Sequence, residues 1–126
     1  MKTQANIILE GLKQFYGSDT YYEIPLIKTR YTCGIKYLAE NANCYWLVSD
    51  ASLMAKTLMT KTEFVTIDFK RLSRKKQDYT GHEAQLIYTD GNENVLECHG
   101  YSVSDFPLDE LRLFFVNNML MLPSEY

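Results

Sequence analysis

Three cysteines and two histidines are the residues of this 126-residue chain whose chemistry could support nucleophilic catalysis or metal binding. Cys33 stands next to Gly34 at the start of a predicted helix, where the helix N-terminus lowers the pKa of a thiol. A cysteine nucleophile needs a histidine nearby; the chain has His82 and His99, and the distance of His99 along the chain is no objection in itself. No motif fixes such a pair, and a cysteine in a globular chain is more often a small buried apolar residue. We therefore assign no catalytic residue, and a small enzyme that uses Cys33 or His99 in a pocket between helices and sheet remains an alternative.

The same residues have the wrong spacing for a metal site. Structural zinc sites use paired ligands a few residues apart, whereas residues 34–43 separate Cys33 from Cys44. Cys98 and His99 are adjacent, so on a strand their side chains point to opposite faces. The chain also has no His-Glu-x-x-His motif, no dinucleotide-binding glycine motif and no phosphate-binding P-loop. The sequence predicts neither a metal nor a cofactor.

A run of basic residues is the most suggestive polar feature. Its cations would release counterions from a phosphate backbone, and a following tyrosine would stack on bases. It would equally dock on an acidic protein or keep a loop soluble, and the sequence pI of about 5.3 favours these two functions over nucleic-acid binding. We expect the run in the loop between the first two long strands. We call its members the basic segment: Lys70, Arg71, Arg74, Lys75, Lys76 and Tyr79.

Acidic residues dominate the second half of the chain. Residues 1–76 carry 12 Lys and Arg against 7 Asp and Glu, whereas residues 77–126 carry 1 against 9. Runs of charge mostly mark solvated surfaces, but a negative face would also attract a basic partner by charge complementarity. The candidates for such an acidic face are Asp90, Glu93, Glu97, Asp105, Asp109 and Glu110.

The hydrophobic periodicity changes at about residue 60. Before it, apolar residues recur every three or four positions, which predicts helices at about 3–16, 33–41 and 44–59 around a short strand at 26–31. We expect Trp46 to pack on a sheet. Beyond it, alternation predicts strands at about 63–70, 84–89, 94–100, 108–116 and 119–122. Asn117 and Asn118 favour a turn, and Pro123 should end the last strand at a sheet edge.

These elements predict one α+β domain over residues 1–126. Helices in about residues 1–60 should pack on one face of a four- to five-stranded antiparallel sheet in about residues 63–123.

The compartment is predicted from what the sequence lacks. Glu10 interrupts the apolar run of Ile7, Ile8 and Leu9, so a secretory signal is not expected. The odd number of cysteines argues against a disulfide framework, and no apolar stretch reaches the roughly 18 residues that span a bilayer. We expect a cytoplasmic protein with reduced thiols and no membrane partner.

Two blocks of sequence carry a family resemblance. The first reads YTCGIKYLAE over residues 31–40 and continues as YWLVSD over residues 45–50. The second reads DFPLDE over residues 105–110 and ends, after Asn117 and Asn118, as LPSE over residues 122–125. Together they resemble a small family of uncharacterised bacterial proteins, a domain of unknown function that also occurs on phages and plasmids. The resemblance implies an accessory gene of mobile elements and brings no established activity or catalytic residue.

These observations rank three kinds of function. The leading hypothesis is a non-enzymatic cytoplasmic interaction protein, an accessory or host-modulating factor that binds a protein partner whose identity the sequence does not give. The alternatives are the small enzyme described above and a weak nucleic-acid-binding module that uses the basic segment. Phe114 and Phe115 put large apolar side chains on both faces of one strand, so a homodimer is a further hypothesis.

Overall fold

A computed structural model describes residues 3–15, 20–92, 94–102 and 106–126. In this part of the chain, four α-helices and seven β-strands confirm the α+β class. In chain order they are α1 (Gln4–Leu12), β1 (Tyr21–Ile24), β2 (Thr29–Thr32), α2 (Cys33–Asn41), α3 (Tyr45–Leu58), β3 (Phe64–Arg71), α4 (Arg74–Thr80), β4 (Ala84–Thr89), β5 (Val95–Tyr101), β6 (Glu110–Val116) and β7 (Met119–Met121), followed by a 3₁₀ turn (Pro123–Glu125).

The strands form one mixed sheet in the order β1-β2-β7-β6-β3-β4-β5. Neighbouring strands run antiparallel except β2 and β7, which are parallel. The prediction of four to five antiparallel strands therefore missed part of the sheet and the direction of one pair. The sequence predicts only a short strand at 26–31 where the structure has the β1–β2 hairpin, because strands of four residues give too few positions to establish alternation.

Strand β7 lies inside the sheet, between β2 and β6, so the prediction that Pro123 ends a strand at the sheet edge is wrong. Its parallel pairing with β2 joins segments that are far apart in the chain, and no local pattern reports such a contact. The turn before β7 is confirmed: Asn117 and Asn118 adopt positive φ angles of 54° and 63°, as a two-residue hairpin requires.

The core lies between the sheet and helices α2 and α3. Val65, Ile67 and Phe69 alternate along β3 as predicted and are buried. Leu47 and Ala51 of α3 are buried with them, and the removal of this apolar surface from water stabilises the layer. Within the described residues, no helix combines the length and apolar character needed to cross a membrane.

Helix α1 is shorter than predicted and ends at Leu12. Thr3 caps its N-terminus, where the threonine Oγ1 accepts a hydrogen bond from the Asn6 N–H at 3.1 Å. Gly11 faces α2 so closely that a Cβ atom there would lie 2.0 Å from the Tyr37 hydroxyl. The absent side chain lets Tyr37 approach the backbone of α1 and fixes where that helix lies.

Candidate functional site

The structure divides the basic segment between strand β3 and helix α4, where the sequence predicts a loop. Helix α4 begins after Ser73, whose Oγ accepts a hydrogen bond from the Lys76 N–H at 3.3 Å, and ends at Gly81, which has a left-handed φ of 78°. The helix has seven residues and buries none of them. Its sequence therefore has no apolar periodicity from which a helix could be predicted. It carries the exposed residues Arg74, Lys75, Lys76 and Tyr79.

Arg71 has a structural position that sets it apart from these surface cations. Its Nε lies 3.1 Å from Asp109 Oδ1, and its Nη2 donates to the carbonyl oxygens of Phe106 and Leu108. Phe106 and Leu108 are buried. Arg71 therefore fastens residues 106–109 to the end of β3.

The acidic candidates do not share one face. Asp90 accepts hydrogen bonds in the β4–β5 turn, and these bonds, foremost that from the Asn94 side chain, lower the pKa of its carboxyl group. Glu97 pairs across the strands with buried Tyr88, on the helix side of the sheet, whereas Glu110 points to the other side. Of the rest, Asp109 bonds to Arg71, Glu110 lies opposite Lys70, and Glu93 and Asp105 lie outside the described residues.

Cys33 and His99 lie at distant positions of the sheet. Cys33 follows β2 and His99 lies on the edge strand β5, so five strand spacings put them roughly 24 Å apart. No disulfide joins the cysteines, and burial raises the pKa of Cys44 to about 12. Among the described residues, no group of three His, Cys, Asp or Glu side chains could hold a metal ion.

The most distinctive feature of the sheet is a stretch of β6, inside the sheet order, that pairs with no strand on its β7 side among the described residues. The Arg71 N–H donates to the Asp109 carbonyl oxygen at 2.8 Å. Because backbone hydrogen bonds alternate along an antiparallel pair, the backbone N–H and C=O groups of odd-numbered residues from Asp109 through β6 point toward β3, and those of even-numbered residues point away from it. Phe114 and Val116 thus face β7 and pair with its residues. Arg112 has the same orientation, but the pairing with β7 stops at Phe114, so among the described residues no strand pairs with the backbone N–H and C=O of Arg112 on this side, where it lines a groove.

Residues 122–125 hold the end of β7 in place through hydrogen bonds. The Leu122 N–H donates to Glu125 Oε1 at 3.0 Å, and Pro123 has no N–H and starts the 3₁₀ turn. The Glu125 carboxylate also accepts hydrogen bonds from Thr32 Oγ1 at 2.6 Å and from the Gly34 N–H at 3.3 Å. The two sequence blocks that carry the family resemblance meet in this contact. It holds residues 122–125 at one end of the groove.

Helix α1 forms the opposite wall of the groove. Leu9 and Leu12 face it with Lys13 at the rim, Leu111 lies beside the strand edge, and residues 122–124 close one end of a space of about 380 Å³. Most of this lining is apolar.

The side chain of Arg112 is held on the other face of the sheet. Two hydrogen bonds of 2.8 and 3.2 Å join its guanidinium to Asp68, and they raise the pKa of Arg112. The Arg112 backbone therefore borders the groove while its charge is engaged elsewhere. The described residues that line the groove include no cysteine, histidine or carboxylate.

The sequence did not predict this groove, although it predicted the strand that ends beside it. The sequence predicted the short last strand and its end at Pro123. The place of β7 inside the sheet was not predicted, and this groove exists because β7 pairs with only Phe114, Phe115 and Val116 of β6.

One comparison with known proteins gives a match. A family model described as "Family of unknown function (DUF6876)" matches residues 6–126. No curated protein matches the chain, and no solved structure does either.

Proposed function

Because the chain belongs to this family of unknown function, we propose its role from the geometry alone: it is an interaction protein that binds an extended segment of a protein partner as an added strand beside β6. The observation that carries the proposal is the outward-facing backbone of Arg112 opposite an apolar helix wall. Strand addition uses such an edge, since the main chain supplies hydrogen bonds and flanking pockets select side chains.

The partner segment should have a definite chemistry. Its backbone would pair with the N–H and C=O groups of Arg112 and Glu110, which point away from β3. Alternate side chains of an added strand face the same way, so those on the helix side would meet Leu9 and Leu12 and should be apolar. An acidic residue near the rim would complement Lys13.

The compartment and the genetic context that we propose are those expected from the sequence. We keep as part of the proposal that the protein acts in the cytoplasm as an accessory or host-modulating factor of a mobile element. The exposed cations of α4 then serve solubility or a second contact with the partner.

The first test is selection of peptides from a phage-displayed library of random sequences against the full chain. Selected peptides should be extended and apolar at alternate positions. Leu9→Glu, which puts a carboxylate at the groove wall, should weaken their binding by about tenfold or more, since about 1.4 kcal/mol changes an equilibrium constant tenfold. Ile7→Glu is the matched control, because Ile7 is 53% exposed on the same helix, compared with 42% for Leu9, and does not line the groove.

The second test uses N-methylation along the best peptide. Methyl groups on alternate residues should abolish binding, because only every second N–H of an added strand faces β6. Failure to select any peptide, or a uniform tolerance of N-methylation, would contradict strand addition. If the chain forms a dimer without peptide and Leu9→Glu abolishes that dimer, the segment that binds in the groove belongs to a second copy of the chain.

A further inference from the structure

A second cavity lies on the helix side of the sheet, away from the groove. It has a volume of about 390 Å³, near the lower end of the range for small-molecule sites. Helix α3 and the edge strand β5 form its walls, with Asp50, Leu53, Met54, Thr57, His99 and Tyr101 as the lining residues.

Two tyrosine hydroxyls lie in or beneath this cavity. Tyr101 bonds to the Asp50 carboxylate, and burial together with that negative charge raises the pKa of Tyr101 to about 12. Tyr88 is 0% exposed, and its hydroxyl lies beside the hydroxyl of Tyr101, to which it hydrogen-bonds, and close to the Asp50 carboxylate. A polar group that enters the cavity can therefore reach the Asp50 carboxylate and the Tyr101 hydroxyl, which both line it.

The charges around these hydroxyls are negative. Burial raises the pKa of Tyr88, and the negative charges of Asp50 and Glu97 add to this effect. His99, whose Nε2 lies 3.7 Å from Glu97 Oε1, is the basic group of the lining. Lys56 is the nearest lysine in sequence to the lining residues of α3, and it donates instead to the carbonyl oxygen of Ile27.

We propose that this cavity binds a small organic cation, an ammonium group that carries an apolar substituent. The ammonium would donate hydrogen bonds to the Asp50 carboxylate and to a tyrosine oxygen, and the ring of Tyr101 would add a cation–π contact. Leu53 and Met54 supply the apolar wall for the substituent. An anion would be repelled, and a neutral ligand would lack the attraction to Asp50.

The test titrates benzylammonium into the full chain, with benzyl alcohol as the neutral probe of similar shape, and follows the resonances of His99 and Tyr101 by NMR. Benzylammonium should saturate with a Kd on the order of 1 mM or tighter, and benzyl alcohol should bind at least about tenfold more weakly. A third titration with N-acetyl-lysine methylamide separates a free amine from the lysine side chain of a peptide. Tighter binding of this third probe would assign the lysine side chain as the natural source of the ammonium.

Asp50→Asn should reduce the affinity for benzylammonium by about tenfold while leaving that for benzyl alcohol unchanged. Asp78→Asn is the matched control, because Asp78 is an exposed acid on α4, outside the cavity lining. The proposal is overturned if benzylammonium fails to saturate at about 10 mM, a concentration well above the expected Kd. It is also overturned if both probes bind equally, or if Asp50→Asn binds benzylammonium as well as the unsubstituted chain.

Discussion

Replacement of Gly11 by alanine tests how helix α1 is positioned, and α1 is one wall of the groove beside β6. The new Cβ would lie 2.0 Å from the Tyr37 hydroxyl oxygen and 2.4 Å from the ring carbon that bears it. Favourable contacts between carbon atoms begin at about 3.5 Å, so either Tyr37 or the helix must move. Tyr37 is held by the ring of Phe15, with the ring centroids 5.4 Å apart.

Two opposing effects set the magnitude. Alanine stabilises a helix interior by about 1 kcal/mol relative to glycine, whereas overpacking costs about 1–3 kcal/mol. Gly11→Ala should therefore lower the free energy of unfolding by about 0–2 kcal/mol, the difference between the two ranges. In a Tyr37→Ala background the clash is absent, and the same substitution should raise the free energy of unfolding by about 1 kcal/mol.

Urea denaturation of the four chains of this double-mutant cycle measures the coupling, which should be about 1–3 kcal/mol. The sign reversal is the decisive result, because propensity alone would make alanine stabilising in both backgrounds. If Gly11→Ala stabilises the chain equally with and without Tyr37, the close contact between α1 and α2 is wrong. The position of the groove wall would then be wrong as well.

Three further predictions concern stability. Trp46→Ala should lower the free energy of unfolding in urea by about 2–4 kcal/mol, because the half-buried ring packs against two aromatic rings; an unchanged midpoint would mark Trp46 as a contact residue instead. Arg71→Gln should cost about 1–3 kcal/mol by removing the donor to carbonyl groups of residues 106–109, whereas the exposed Lys75→Gln should change stability by no more than about 0.5 kcal/mol; equal effects would contradict the structural role of Arg71. Burial raises the pKa of Cys44 to about 12, so the folded chain keeps a proton that the unfolded chain loses above about pH 9. This group alone should therefore lower stability by up to about 1.4 kcal/mol per pH unit in that range. The fall should be shallower in Cys44→Ala, and an identical slope in both chains would refute it.

The fold was predictable where periodicity is long and regular. Val65, Ile67 and Phe69 alternate over a whole strand, and the stripe of α3 recurs over 14 residues, so both elements were placed correctly. The hairpin of β1 and β2 and the surface helix α4 are short, and α4 buries no residue, so neither gave a readable pattern. In these segments the structure depends on caps, turns and distant strand pairing rather than on local hydrophobic patterning.

The candidate sites were less predictable than the fold. The residues of the basic segment are close together in sequence, but Arg71 hydrogen-bonds to Asp109 whereas the cations of α4 face solvent. The groove depends on a backbone edge, and backbone groups carry no residue signature. The second cavity joins Asp50 of α3 with His99 and Tyr101 of β5, a grouping that the topology alone creates.

Hydrogen exchange at the Arg112 amide tests the central claim most directly. In the chain without ligand, this amide should exchange much faster than those of Leu111 and Leu113, because the latter face β3 in the same strand. Addition of a selected peptide should slow the exchange of Arg112 by about tenfold or more and leave its two neighbours unchanged. Exchange of Arg112 as slow as that of Leu113 in the chain without ligand would show that the edge is already paired and would contradict the account.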